Sequence, residues 1–340
     1  MSEVVLFGEI MLRLSPEGFN RFVQAEKFNV HYGGSEANVA FSLANYGMDS
    51  SFVTKLPDNE IGQSAFNKLR QFGVDTSNII KEDERLGIYY LEKGASQRPS
   101  KVIYDRSHSA IAESEIDDFN WDEILKDAKW FHFSGITPAL SDNLAEICLI
   151  ACRKAKENNV TVSCDLNYRA KLWSENKANE VMSNIMEYVD VCIANEEDIE
   201  KVFGIKADNT DVDKGQLDYD SYQVVADELL NKFNLTKIAC TLRTSISASD
   251  NKWTSMLYDG EEFYQSREYE VHIVDRVGGG DSFVAGLIYG FLNDLPDAES
   301  LEFATAASCL KHSIEGDFNL VTVDEVKSLA SGNASGRVQR

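Results

Sequence analysis

Short apolar runs rich in β-branched residues alternate with longer amphipathic stretches along most of this chain, and that alternation restricts the fold more than any other feature. VVLFGEI (4–10), WFHFSG (130–135), VTVSCDLN (160–167), VDVCIAN (189–195) and TKIACTL (236–242) have the length and residue types of strands. Between them, SEANVAFSLANYG (35–47), SDNLAEICLIACRKAKENN (141–159), ENKANEVMSNIMEYV (175–189) and YQVVADELLNKFN (222–234) carry apolar residues at helical spacing behind N-caps or acidic first turns. Alternating strands and helices stack as βαβ units. This predicts an α/β fold, with a mostly parallel central sheet flanked by helices on both faces. Ligands of such sheets gather at the C-terminal ends of the strands, here Gly8-Glu9, Ser134-Gly135, Asp165 to Asn167 and Asn195-Glu196.

Two segments break the alternation. Residues 11–32 and 86–106 read as short strands with turns between them, and both carry aromatic and arginine side chains. They are expected to form a small antiparallel sheet, a lid over the strand ends that keeps water from a reaction. The last ten residues, SGNASGRVQR (331–340), are small and polar and read as a disordered tail.

The net charge of −23 argues against sequence-independent nucleic-acid binding, which needs clustered Lys and Arg. An anionic substrate would need arginines gathered locally against that field. No apolar run is long enough for a membrane span, and the start of the chain shows no secretory leader, so a cytoplasmic protein without a membrane partner is expected. The six cysteines lie mostly in apolar runs with no CxxC pair and read as reduced core thiols. The five histidines show no ligand spacing.

DRVGGGDSFVAG (275–286) raises the functional question: three glycines, then an aspartate, at the mouth of an apolar helix. A helix N-terminus with bare glycines is a ready anion site. Asp281 would repel a phosphate there unless it takes a proton from a hydroxyl that attacks the phosphate, which is the demand of phosphoryl transfer to an alcohol. The alternative is a plain glycine turn with Asp281 as an N-cap. No GK[ST] follows, so it is not a Walker-A loop, and Phe283 at the third glycine position makes it a poor dinucleotide fingerprint.

The same stretch resembles the second signature of the PfkB, or ribokinase-like, carbohydrate kinases, written D-T-x-G-A-G-D, and HYGGSEANVAFSLANYG (31–47) resembles their first. The resemblance spans nearly all of residues 3–330. It is nearest to the 2-keto-3-deoxygluconate kinase branch through GEIMLRLSP (8–16), RLGIYYLEKGASQRPSKVIYDR (85–106), CDLNYRAKLW (164–173), NEEDIEKVFG (195–204), TLRTSISASDN (241–251) and GDFN (316–319). It implies one ribokinase-like kinase domain over 1–330, with its lid at 11–32 and 86–106. It also implies ATP-dependent phosphorylation of 2-dehydro-3-deoxy-D-gluconate at its 6-hydroxyl.

By this resemblance Gly33, Gly34 and Asn38 hold sugar hydroxyls, and Tyr89, Tyr104 and Arg106 reach the sugar acid from the lid. Arg169 binds the substrate carboxylate or the transferring phosphate, and Asp317 positions the sugar. Asp281 is the base, and Gly278, Gly279 and Gly280 form the anion hole. Asn195, Glu196 and Asp198 stand where the family organises Mg²⁺, with Asp198 one methylene short of the usual Glu, so that its metal contact would run through water. Thr241, Arg243 and Ser245 are assigned to the nucleotide, and a monovalent cation is left open. Independently of the resemblance, two guanidiniums at one mouth suit a carboxylate.

Other readings stay open at this point. The arginines could pair with surface acids, the tyrosines could simply pack across a small sheet, and NEED could be an ordinary acidic N-cap. Gly279 in place of the usual Ala is expected only to loosen the turn. A kinase for another small sugar such as fructose and a silent sugar-binding protein are the alternatives in function. Apolar edge residues Ile88, Val102 and Ile103 suggest a homodimer paired through the lid.

Overall fold

The computed structural model describes residues 2–195, 197–206 and 219–333. Its strands are β1 (Val4–Phe7), β2 (Met11–Pro16), β3 (Phe28–Gly33), β4 (Ser50–Pro57), β5 (Ile79–Glu82), β6 (Ile88–Glu92), β7 (Lys101–Asp105), β8 (Trp130–Ser134), β9 (Thr161–Asp165), β10 (Val191–Asn195), β11 (Lys237–Ser245), β12 (Asp250–Tyr258), β13 (Phe263–Gln265) and β14 (Tyr269–His272). The helices are α1 (Ser35–Asn45), α2 (Glu60–Gln71), α3 (Trp121–Ile124), α4 (Asp142–Glu157), α5 (Glu175–Met186), α6 (Asp198–Phe203), α7 (Tyr219–Phe233), α8 (Gly279–Leu292), α9 (Asp297–Lys311) and α10 (Val323–Ala330).

The large sheet runs β13-β12-β11-β10-β9-β8-β1-β4-β5, with β14 also paired to β12. From β11 to β5 every pair is parallel, and β12 to β14 add an antiparallel margin. Alternate residues of β1 divide between two cores. Val5 and Phe7 pack with α4 and α5, whereas Val4 and Leu6 pack with α1, α8 and α9. Both faces are therefore covered, as a parallel sheet requires.

Sequence reading passes over β4, whose SSFVTKLP opens on two serines and contains a lysine. All eight positions are nevertheless buried. Lys55 is tolerated there because its ammonium meets Glu82 at 2.6 Å and Asp118 at 2.8 Å. Helix α8 is apolar all round and lies against α9. A Cβ on Gly286 would come within 2.5 Å of the Ala304 Cα, so the bare glycine is what lets these two helices touch. That packing fixes the start of α8, where the glycine turn sits.

Residues 11–32 and 86–106 supply a separate four-stranded sheet, in the order β3-β2-β6-β7. It is not antiparallel throughout, as the sequence suggested. β2–β3 and β6–β7 are antiparallel hairpins, but the central β2–β6 pair is parallel. Both hairpins leave the C-terminal ends of parallel strands, β1 and β5, so their first strands run the same way. Ile88 accordingly lies on an interior strand and Val102 lines the cleft below. Among the three apolar edge residues expected, Ile103 is the exposed one, at 54%. The reading of a disordered tail falls, from residue 334 on, outside the described residues. All six cysteines are buried, and among the described residues no helix is long and apolar enough to cross a membrane.

Candidate active site

The C-terminal ends of the parallel strands and the underside of the small sheet enclose a cleft of about 510 Å³. It brings together Gly33, Gly34, Asn38, Tyr89, Tyr104, Arg106, Arg169, Asn195, Asp198, Thr241, Arg243, Gly278, Gly280, Asp281 and Asp317. Two of the expected site residues do not line it. Ser245 is exposed at the far end of the β11–β12 pair, opposite Asn251, and Gly279 faces inward. Glu196 lies outside the described residues.

The three glycines serve three different needs. Gly278 has φ +84°, and a Cβ there would meet the Asp317 carbonyl oxygen at 2.0 Å. A Cβ on Gly279 would meet the His312 ring at 2.5 Å. Gly280 alone has open space where its side chain would be. The absence of a methyl at 279 therefore does not loosen the turn, because His312 occupies that volume.

Asp281, in the first turn of α8, is half-buried at the cleft. Ser35 Oγ donates to its Oδ1 at 3.0 Å and Asn38 Nδ2 donates to its Oδ2 at 2.6 Å. Asn38 is oriented in turn by Gly34, whose N–H donates to Asn38 Oδ1 at 3.4 Å. The two signature segments thus meet through Asp281, and the amide expected to hold sugar hydroxyls is turned toward the aspartate. Desolvation pushes the Asp281 carboxyl up to about 6, against the two hydrogen bonds, with Asp317 raising it further.

Gly33 and Gly34 make room for protein. A Cβ at 33 would strike Asp317 Oδ2 at 2.2 Å, and one at 34 the Glu9 carbonyl oxygen at 1.8 Å. Asp317 is itself buried. It accepts from Arg13 Nη1 at 2.9 Å and from the Tyr89 hydroxyl. Arg13, fully buried on β2, also donates from Nη2 to Asp275 at 2.5 Å. Sequence reasoning missed Arg13. Its only signal was a charged residue in the apolar stretch MLRL.

Arg106 follows β7 and stacks over the Tyr104 ring, 5.4 Å from its centroid. Its Nη2 donates to buried Glu9, whose other oxygen accepts from Ser109 Oγ at 2.7 Å. Arg169 donates to the neighbouring Tyr168 carbonyl at 2.9 Å and makes no ion pair among the described residues. Two further carboxylates close the cleft floor. Asp198 accepts from the Tyr168 N–H at 3.1 Å and the Asn195 N–H at 3.3 Å, while Asn195 Oδ1 accepts from the N–H groups of Glu197 and Asp198. Among the described residues the buried Asp165 carboxylate accepts a single hydrogen bond, from the Asn167 amide at 3.4 Å. Burial lifts its carboxyl well above the usual range, and repulsion from Asp198 and Asp281 adds to this. Burial raises Asp198 as well. Arg169 is the neighbouring positive charge for both, but neither makes an ion pair among the described residues, and two desolvated carboxylates of this kind fit a hard divalent ion held by oxygen. Among the described residues no cluster of three or more His, Cys, Asp or Glu is placed to hold a metal by itself.

The model of the pfkB family carbohydrate kinases matches residues 1–319. The chain belongs to that family. This pfkB-family carbohydrate kinase is 33% identical over 335 residues to a 2-dehydro-3-deoxygalactonokinase of Haloferax volcanii, covering 98% of both chains. It is 28% identical to a 5-dehydro-2-deoxygluconokinase of Clostridium perfringens, over 96% of this chain and 91% of that one. Among solved structures, a 2-dehydro-3-deoxygluconokinase from Thermotoga maritima superposes with a TM-score of 0.94 at 53% identity, covering 98% of this kinase and 100% of that chain.

Proposed function

We propose that this carbohydrate kinase phosphorylates a keto-deoxy sugar acid, 2-dehydro-3-deoxy-D-gluconate, at its 6-hydroxyl, with MgATP as donor. The observation that carries the reading is Asp281, a carboxylate at the glycine turn held by Ser35 and Asn38 in a cleft that also contains Arg106 and Arg169. Relatives named for 2-dehydro-3-deoxy sugar-acid kinases support the substrate class.

In this reading Asp281 takes the proton of the 6-hydroxyl as that oxygen bonds to the γ-phosphorus. The bond from γ-phosphorus to the bridging oxygen breaks and ADP leaves. The open face of Gly280 and the N-terminal N–H groups of α8 receive the γ-phosphate oxygens, where oriented donors stabilise developing charge. Gly278 and Gly279 shape the turn from behind. Arg169 grips the substrate carboxylate, with Arg106 oriented by Glu9. Tyr104 bounds the sugar, and Tyr89 and Asp317 form its floor. Asp198 would meet Mg²⁺ through water, since both of its oxygens already accept backbone N–H groups, and Asp165 lies beside it. The ion neutralises phosphate charge when bound. Thr241 and Arg243 lie on the donor side. Exposed Val30 (58%) and Ile103 (54%), on the two edge strands of the small sheet, suit pairing between two copies.

The test is ADP release with MgATP on 2-keto-3-deoxygluconate, its galacto epimer, fructose, ribose and gluconate. Turnover is expected on the keto acids, with Asp281→Asn lowering kcat by about 10²–10⁴. One observation favours a neutral sugar instead: Glu9 already neutralises Arg106. Arg169→Ala decides between them, because it should cripple an acid substrate and spare fructose.

A further inference from the structure

Two other guanidiniums in the cleft make no ion pair among the described residues. Arg243 on β11 makes no ion pair among the described residues, and its Nε is buried without a hydrogen-bond partner. Arg276, two residues before Gly278, donates Nη2 to the Ala248 carbonyl at 3.0 Å and is likewise without an ion pair. In a chain of 56 acidic and 33 basic residues an arginine finds a carboxylate easily, as Arg13, Arg85, Arg98 and Arg106 do.

Their placement follows from packing. Arg243 stands opposite Trp253 in the β11–β12 ladder, so the two side chains leave the sheet on one face. Trp253 packs on His312 with ring centroids 4.9 Å apart, and His312 fills the space over Gly279. That succession sets Arg243 beside the start of α8, and Arg276 is joined to the same turn by the chain. Burial and then the neighbouring charge of Arg243 pull the Arg276 pKa down, only partly offset by Asp275. Two like charges held together, partly out of water, are unfavourable until a multiply charged anion enters. The helix N-terminus beside them favours the same ligand.

We propose that Arg243 and Arg276 form a two-guanidinium clamp on the non-transferred phosphates of the nucleotide, so that Arg276 sets how strongly the enzyme prefers a polyphosphate chain over a single phosphate. This rests on the kinase reading above and extends it to a residue outside the set read from sequence. The test is calorimetric binding of ADP, AMP and adenosine to wild type, Arg243→Gln, Arg276→Gln, Arg276→Lys and the double Gln variant, beside wild-type ADP release. Each Gln variant should narrow the ADP-to-AMP affinity ratio by about tenfold or more. Arg276→Lys should restore part of it. Adenosine affinity and the sugar KM should not move, which also reports that the variants are folded. An unchanged ADP-to-AMP ratio in Arg276→Gln, with wild-type turnover intact, overturns the clamp alone. Wild type that binds no nucleotide and releases no ADP overturns the clamp and the kinase reading together.

Discussion

Arg13 donates to Asp317 Oδ1 at 2.9 Å across 304 residues of sequence, and this bond ties the small sheet to the floor of the cleft. The same guanidinium holds Asp275, whose carboxylate also accepts the N–H groups of Val277 at 3.2 Å and Gly316 at 3.1 Å. Strand β2 and the segment leading into the glycine turn are therefore one hydrogen-bonded unit.

Replacing Arg13 with Met leaves two buried carboxylates without their cation. The expected loss of unfolding free energy is about 3–5 kcal/mol at pH 7, as for other buried pairs broken on one side. The deficit should shrink on acidification, because burial already raises the Asp317 carboxyl and protonating it removes a stranded charge. Urea titrations at pH 7 and pH 4.5 check both statements. A loss below about 1 kcal/mol would mean that water replaces the guanidinium, or that Lys311 does, a buried ammonium that already feels both carboxylates.

The position of the Asp281 carboxyl, near 6, has consequences of opposite sign for activity and stability. As the proposed base, Asp281 must be ionised, so kcat/KM should fall about tenfold per pH unit below that point. For folding, the native state holds this proton more tightly than the unfolded chain does. Stability from this group is then lost as pH rises from about 4 to 6, and the penalty stands in full above 6. Asp281→Asn should thus be about 10²–10⁴-fold slower yet more stable at pH 8, by on the order of 1–3 kcal/mol, with the gain gone near pH 4. A variant less stable than wild type at pH 8 would show that the hydrogen bonds to Ser35 and Asn38 outweigh desolvation.

Glu36 poses a related case, two residues before Asn38 on α1. Its Oε1 accepts from the Ser134 N–H at 2.7 Å, Ser134 Oγ at 2.7 Å and Thr137 Oγ1 at 2.9 Å, and it is entirely buried. Desolvation raises it to about 7 in spite of these donors. Glu36→Gln keeps an acceptor for all three and removes the ionisation. Wild type should lose stability between pH 4.5 and 7 relative to this variant, visible as crossing melting curves in a pH series. Gly8→Ala should be damaging at every pH, since a Cβ there would fall 2.1 Å from Glu36 Oε2.

The parts of this molecule that were legible in the sequence are the local ones. Strand and helix periodicity reports burial within a single element, so β1, β8, β9, β10 and α4 could be read from their own residues. The glycine turn with Asp281 was legible because it is contiguous. Arg13 with Asp275, Glu9 with Arg106 and Glu36 with Ser134 were not, since each is a buried charge whose partner lies on a distant segment, and a lone charge in an apolar run looks like an exposed one. The parallel β2–β6 pairing was hidden for a similar reason. It depends on where two hairpins leave the large sheet, and their own alternation is the same either way.

Gly279 and His312 show how a glycine can be read for the wrong reason. A turn with an extra glycine looks loose, yet the His312 ring stands 2.5 Å from where the Gly279 Cβ would lie and is backed by Trp253. Its Nδ1 is bonded to the Ser308 carbonyl at 2.7 Å, and burial pushes its pKa down to about 4, so the ring is a neutral packing group at working pH. Gly279→Ala should therefore destabilise by about 1–3 kcal/mol through overpacking. The displaced ring would also shift the turn, lowering kcat more than it raises the sugar KM. His312→Ala alone should also destabilise, by leaving a cavity against Trp253. The double variant should recover much of the Gly279→Ala loss, because the new methyl enters the space that the ring vacates. A double-mutant cycle on urea midpoints measures this coupling, expected at about 1 kcal/mol or more. Simple additivity would mean that the turn accommodates alanine by moving its backbone, and that His312 does not set the shape of the glycine turn.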